Sequence, residues 1–310
     1  MSRTDFSGHH GGDGRRVVAR LGLDPSQVLD LSASLNPFAP AVSDLLVRHT
    51  QLVSHYPDAH HCTALIAAEI GVDADRIILT NGGSEAIALT AGLLRSGSIS
   101  DPEFSLYRRH LNSVSDVSPS EPADDRWRSN PNNPTGELAR PMETALVWDE
   151  AFYPLATGLW TRSDEASWRL GSLTKLWACP GLRLGYVIAP TVDQANLVRQ
   201  NQPRWAVNGM ALGLIPDLLA RTDLPGWADK IGTLRSRFVD ELQALGLDVT
   251  PSAANWVLVS ETSNLKERLA PLGIVIRDCA SFGLSDTYRI ALPTAKNLDR
   301  VLAAISQVSH

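Results

Sequence analysis

Two cations in an apolar setting point to the chemistry. In the stretch GSLTKLWACPGLRLGYVIAP, residues 171–190, Lys175 and Arg183 stand among residues apolar enough to be buried. A buried cation is costly unless it has a partner or reacts with something. A lone lysine usually snorkels to the surface, but apolar neighbours on both sides of Lys175 argue against that here. A desolvated lysine gives up its proton readily and becomes a nucleophile for carbonyl carbon. Three other stretches hold groups that could share its site. In TNGGSEAI, glycines at a strand end and the free N–H groups at a helix start suit a phosphate, although a plain tight turn with Ser84 as N-cap explains the same letters. SNPNNPTGELA packs prolines and asparagines so densely that a side-chain amide is aimed at something, since a structural turn needs only one Asn or Gly. VWDEAF places Asp149 at the end of an apolar strand, where a buried carboxylate needs a cation.

A phosphate turn, a fixed amide, a carboxylate at a strand end, a reactive lysine and an arginine therefore occur in that order. They match the needs of pyridoxal phosphate: a lysine for the aldehyde, an acid for the ring nitrogen, a donor for the phenolic oxygen, and N–H groups plus a cation for the phosphate. Lys175 then faces the aldehyde carbon and Arg183 the phosphate.

The elements that position these groups follow an α/β rhythm. DRIILTNGGSEAIALTAGLL is strand, glycine turn and helix. ALVWDEAFYPL, SWRLGSLTK and RLGYVIAP each supply a further strand, and VSPSEPADDRWRSNPNNP is expected to be loop. LPGWADKIGTLRSRFVDELQALG is a long amphipathic helix that breaks the rhythm. After it, ANWVLVS, GIVIRDC and TYRIALP are short strands among the helices NLKERLAPLG and TAKNLDRVLAAISQ. The expected architecture is a large α/β domain over residues 45–222, with a smaller one formed by residues 1–44 and 223–310.

The bulk properties exclude several classes. A net charge of −6 without a block of like charge argues against nucleic acid or an anionic membrane as partner. No apolar run is long enough to span a bilayer, and the first residues lack the apolar core of a secretory signal, so a cytoplasmic protein is expected. Cys62, Cys179 and Cys279 are odd in number and far apart, which fits reduced thiols and no metal site.

These motifs together resemble the fold type I aminotransferases along nearly the whole chain, within them the histidinol-phosphate aminotransferase and L-threonine-O-3-phosphate decarboxylase branch. SLTK with GLRLGY, and NPNNPTG, carry the likeness. The resemblance implies a large domain with a mixed, mostly parallel sheet between helices plus a smaller α/β domain. It implies that Lys175 binds the cofactor covalently, Asp149 pairs with the pyridinium and Asn133 bonds the phenolic oxygen. Ser172, Arg183, Ser84 and the turn at Gly83, with Glu85 beside them, would hold the cofactor's phosphate end. Tyr107 would stack on the ring. Tyr56 would cross from a second subunit, implying a homodimer with a shared site, and Arg289 would clamp the substrate carboxylate.

HGGDGRRVVARLGLDPSQVLDLSASLNPF and IRDCASF are similar to the decarboxylase, and DEAF puts Phe152 where transaminases usually carry a tyrosine. His10, Asn36 and Arg277 would then bind the substrate's own phosphate. The favoured expectation is decarboxylation of threonine phosphate to aminopropanol phosphate for cobalamin synthesis. Transamination of histidinol phosphate is the second, and a catalytically weak relative that binds the cofactor or a phosphorylated amine is the third. The chain is clipped relative to that family: a strand–helix unit between Tyr107 and Asn130 is expected to be reduced to loop, and ELARPMETAL is too short and Pro-broken for a long helix.

Overall fold

The computed structural model describes residues 11, 12 and 14–308; the expectation placed on His10 lies outside them. The first strands are β1 (Leu29–Asp30), β2 (Ile77–Asn81), β3 (Ser96–Ile99) and β4 (Ser113–Asp116). Then come β5 (Trp127–Ser129), β6 (Val147–Asp149), β7 (Trp168–Gly171) and β8 (Leu184–Ile188). The last group is β9 (Asp248–Thr250), β10 (Trp256–Ser260), β11 (Ile274–Val275), β12 (Arg277–Asp278) and β13 (Thr287–Ala291).

The central sheet has the order β2-β8-β7-β6-β5. β5, β6 and β7 run parallel, while β8 is antiparallel to both its neighbours. β3 and β4 form a parallel pair, and a parallel bridge between Ser98 and Arg126 sets that pair beside β5. The result is α/β with a mixed, mostly parallel sheet. Its strands are buried on both faces, which is why they read as near-continuous apolar runs. Side chains alternate between the faces. Ile78, Leu170 and Val187 pack with Ile87 and Ala91 of helix Gly83–Leu94 and with Val198 of helix Val192–Asn201. Leu79, Tyr186 and Ile188 pack with Ile66 of helix His60–Ile70 and Ile215 of helix Gly209–Leu219.

A four-stranded antiparallel sheet, β12-β13-β10-β9, and the parallel pair β1–β11 make up the rest of the strand structure. Helix Leu224–Ala244 joins the two halves. Asp223 caps it by accepting from the Gly226 N–H, and Pro225 sits in the first turn where no N–H is needed. Its buried side chains, Trp227, Ile231, Leu234, Phe238 and Leu242, recur at helical spacing and contact helix Tyr153–Thr157 as well as β9 and β10. One apolar core therefore contains both Ile188 of the central sheet and Val257 and Ile290 of the second. The expected boundary near residue 222 falls in the turn before this helix.

Two expectations change. The stretch expected as loop contains β5, because Trp127 and Ser129 are buried and pair with β6. The clipped unit keeps its strand: β4 pairs with β3, while residues 117–126 and 137–146 contain no helix.

Candidate active site

The carboxyl ends of β6 and β7, the turn after β2 and the start of β8 open into one cavity of about 530 Å3. Crevices at this edge are where open α/β sheets bind ligands. Lys175, Asp149, Asn133, Arg183, Arg289 and Phe152 line it.

Local chemistry explains how each group arrives. β7 ends at Gly171 and one helical turn, Leu173–Leu176, carries Lys175. Thr174 pins that turn to β8: its hydroxyl donates to the Leu184 carbonyl at 3.0 Å and accepts from the Leu184 N–H at 3.1 Å. Asp149 is the last residue of β6. After β2 the chain turns at Gly82, φ +78°, into helix Gly83–Leu94. A Cβ at Gly82 would stand 2.4 Å from a guanidinium nitrogen of Arg183, so only glycine lets the arginine lie across the turn. A Cβ at Gly185 would stand 2.7 Å from the Gly83 nitrogen, so glycine is needed there too for β8 to pass the turn. Gly83, Ser84, Ser172 and Arg183 converge on one end of the cavity. That end offers helix N–H groups, hydroxyls and a cation, the donor set of a phosphate site.

Lys175 Nζ donates to the Ala33 carbonyl at 2.7 Å and lies 5.8 Å from the centre of the Phe152 ring. Burial, then the positive charges of Arg289 and Arg183, bring its pKa down to about 8. Asp149 is 8% exposed; its Oδ2 accepts from the Tyr107 hydroxyl at 2.8 Å and its Oδ1 from the Ala151 N–H at 3.1 Å. Burial pushes its pKa up, against those hydrogen bonds and the Lys175 charge. The Asn133 N–H donates to Ser129 Oγ at 2.7 Å, and its Oδ1 accepts from Arg289 at 2.5 Å. Arg289 also donates to the Ser32 carbonyl at 3.1 Å and lies 5.0 Å from the Trp256 ring centre. Burial is the main cause that lowers its pKa, to about 10.

Several expected residues stand elsewhere. Tyr107 is fully buried and off the cavity wall, because its hydroxyl reaches beneath the floor to Asp149; Phe104 takes the wall position expected of it. Glu85 is turned away: its carboxylate accepts from the Asn81 N–H at 2.7 Å and from Gln202 at 3.1 Å, which closes the turn after β2. The Asn36 amide is spent on the main chain, donating to the Leu176 carbonyl and accepting from the Phe38 N–H, both at 2.9 Å. It supports the lysine turn and stands off the cavity lining. Arg277 is buried opposite Arg289 in the β12–β13 ladder, stacks on Phe282 at 5.4 Å and donates to Ser281, away from the cavity lining. Tyr56 is 79% exposed and stacks on the exposed Trp205 at 4.4 Å, apart from this cavity. The sequence analysis missed Phe104, Ser129, the Ala33 carbonyl and Glu103 behind them. Only Phe104, three positions before Tyr107 in the same motif, left a local signal.

The geometry fits pyridoxal phosphate. Asp149 is a buried acid held by two neutral donors, and among the described residues Lys175 is the one cation that favours its charged form. A protonated ring nitrogen would supply the missing charge. The glycine cradle at Gly82 and Gly185 keeps the phosphate end open to backbone N–H groups. Among the described residues no cluster of His, Cys, Asp and Glu could hold a metal ion, and no helix is long and apolar enough to cross a membrane.

Comparison with known proteins agrees with the geometry. The family model for aminotransferase class I and II matches residues 127–305. The chain is 32% identical to a threonine-phosphate decarboxylase of Salmonella typhimurium, over 98% of this chain and 97% of the relative. It is 29% identical to a histidinol-phosphate aminotransferase of Halorubrum lacusprofundi, over 98% and 95%. The first alignment runs to 357 positions, more than the chain's 310 residues, so that relative carries residues this chain lacks. Its fold matches a histidinol-phosphate aminotransferase of Sinorhizobium meliloti, solved with pyridoxal-5'-phosphate, at a TM-score of 0.80 and 20% identity over 100% of this chain and 98% of that one.

Proposed function

Because this chain belongs to the aminotransferase class I and II family of pyridoxal-phosphate-dependent enzymes, we propose that it uses that cofactor to decarboxylate a phosphorylated amino acid, L-threonine O-3-phosphate. The observation that carries the cofactor reading is Lys175, a lysine whose pKa is about 8, in one cavity with the buried Asp149. The choice of reaction rests on the whole-length likeness to the decarboxylase and on Phe152, whose ring brings no hydroxyl to the wall beside Lys175.

When bound, the cofactor supplies an aldehyde for the substrate amine and a ring that accepts electrons from a breaking bond. The residues do the rest. Lys175, with its pKa near 8, offers a neutral amine at mildly alkaline pH and later moves a proton at the substrate's α carbon. Asp149 holds the proton of the ring nitrogen. Asn133 presents its amide to the phenolic oxygen while Arg289 fixes that side chain. Arg183, Ser84, Ser172 and the Gly83 N–H hold the phosphate. Arg289 would also offer a guanidinium to the substrate carboxylate, and the orientation it sets there would decide between loss of carbon dioxide and transamination.

The exposed Tyr56–Trp205 pair motivates the proposal of a homodimer in which Tyr56 reaches the partner's phosphate site. Incubation with threonine phosphate, and separately with histidinol phosphate plus 2-oxoglutarate, divides the reactions. Carbon dioxide from the first is expected. Glutamate from the second without carbon dioxide from the first establishes the aminotransferase, for which the similarity to the Halorubrum enzyme speaks. Neither product, with the cofactor bound, leaves a binding protein.

A further inference from the structure

Glu103 is buried directly behind the cavity and takes no part in the steps above. It is 6% exposed and stands beside Phe104 of the cavity wall. One carboxyl oxygen accepts from the Phe104 N–H at 2.7 Å and bonds the Ser129 hydroxyl. The other accepts from the Ser129 N–H at 3.0 Å and from Asn132 Nδ2 at 3.3 Å. Ser129 Oγ in turn accepts from the Asn133 N–H at 2.7 Å. One acid thus touches both walls of the cavity, and one branch leads from it through Ser129 to Asn133.

We propose that Glu103 is a positioning residue that acts through Ser129, holding the Asn133 segment so that its side-chain amide stays aimed into the cavity. The inference rests on the cofactor reading above. The charges around it favour a neutral carboxyl at its head. Asp149 repels a charge there. Arg126 and Arg128 line an adjoining cavity of about 80 Å3 with Asp101 and Glu137, but both are engaged elsewhere. Arg126 donates to Ser100 and to the Ser118 and Glu121 carbonyls, and Arg128 pairs with Glu143. Burial and the Asp149 charge place the Glu103 pKa near 8, against the hydrogen bonds it accepts. A carboxyl suits this place better than an amide: one of its oxygens faces the Phe104 N–H and the other the Ser129 N–H, so an amide NH2 in either position meets a donor.

The test is a pH titration of the visible absorption band of the cofactor-loaded protein, for wild type, Ser129→Ala, Glu103→Gln and the double variant. Below pH 8 glutamine replaces one neutral group by another, so a shift reads hydrogen bonding and not charge. Both single variants are expected to move the midpoint in the same direction, Ser129→Ala by about half a pH unit or more, because the amide aimed at the phenolic oxygen loosens. The double variant should move it no further than Ser129→Ala alone, since Glu103 acts through that hydroxyl. Unmoved midpoints in folded single variants overturn the inference, and so do additive shifts in the double. If Glu103→Gln does not fold, an unmoved midpoint in Ser129→Ala decides against it. A wild-type protein with no visible band at all overturns the cofactor reading instead, so the two failures are distinct.

Discussion

The two sides of the cavity are built differently. On the cofactor side, Asp149, Ser172, Lys175 and Gly83 each stand at or just beyond the end of a strand in the central sheet, and local turn chemistry aims them. On the substrate side, Arg289 comes from β13 and meets the Ser32 carbonyl, 257 residues away in sequence, and Asn133, 156 away. The cofactor side is anchored by the ladder of one sheet, the substrate side by side-chain hydrogen bonds between distant segments. Damage to the first should abolish cofactor chemistry; damage to the second should alter affinity and reaction choice while the cofactor stays.

The sharpest break is Lys175→Ala. It should abolish the borohydride-fixable cofactor adduct and lower turnover by ~10³-fold or more, as loss of a group with both nucleophilic and proton-transfer roles does. Mass spectrometry of the reduced protein checks it; a label persisting on the variant removes Lys175 from the site. Arg289→Lys tests the other side. Lysine cannot keep the two-pronged contact with Asn133 Oδ1 and the Ser32 carbonyl and also bind a carboxylate. Loss of a buried charged hydrogen-bond partner costs ~2–5 kcal/mol, so kcat/KM should fall by ~10²-fold with the adduct intact. If the adduct is lost as well, the two sides are not separable.

The pH dependence of cofactor capture tests the cofactor side without mutation. The folded pKa of Lys175 is near 8, below the usual 10.5, so its neutral form gains as pH rises and is dominant above 8. Capture of added pyridoxal phosphate by cofactor-free protein should accelerate roughly tenfold per pH unit below 8 and level off above it. A rate that keeps climbing beyond pH 10 would mean the amine is solvated. The same depressed pKa makes folding stability rise between pH 8 and 10.5, because there the unfolded chain holds the proton that the folded one has lost.

How much the sequence revealed follows the same divide. Lys175, Asp149, Asn133 and Arg183 were readable because each sits in a short run whose composition makes sense only at a strand end or a rigid loop. Asn36 was assigned to the substrate phosphate through the resemblance, and its actual partner was not legible: its donor goes to Leu176, 140 residues on, and no local pattern announces that. Glu103 and Ser129 meet only because β3 lies beside β5, and β5 was hidden inside a loop-like composition. Tyr107 was assigned its neighbour's place because a stacking ring and a buried hydroxyl leave the same aromatic letter. Asn36→Ala is therefore expected to cost ~1–3 kcal/mol of stability through unpaired buried groups, with KM for the phosphorylated substrate changed by less than about threefold. Equilibrium denaturation and steady-state kinetics check this; a large rise in KM at unchanged stability would return Asn36 to the substrate.

Phe152→Tyr is the mildest change and bears on the junction of the two sides. The ring packs edge-on against Trp256, centres 4.7 Å apart, with Lys175 Nζ 5.8 Å from its own centre. It is 7% exposed and lines the cavity, so a hydroxyl can be added towards open space without enlarging the packed face. A second donor at the phenolic oxygen would share the task of Asn133 and leave the grip of Arg289 on the carboxylate unchanged. Decarboxylation should then fall by a few-fold at most, and the visible band should shift its pH midpoint downward as the new hydroxyl stabilises the phenolate. The ratio of carbon dioxide to transaminated product is the informative number. If it holds steady, Phe152 is a packing choice and reaction direction lies with Arg289; if transamination rises, the missing hydroxyl is itself part of what selects decarboxylation.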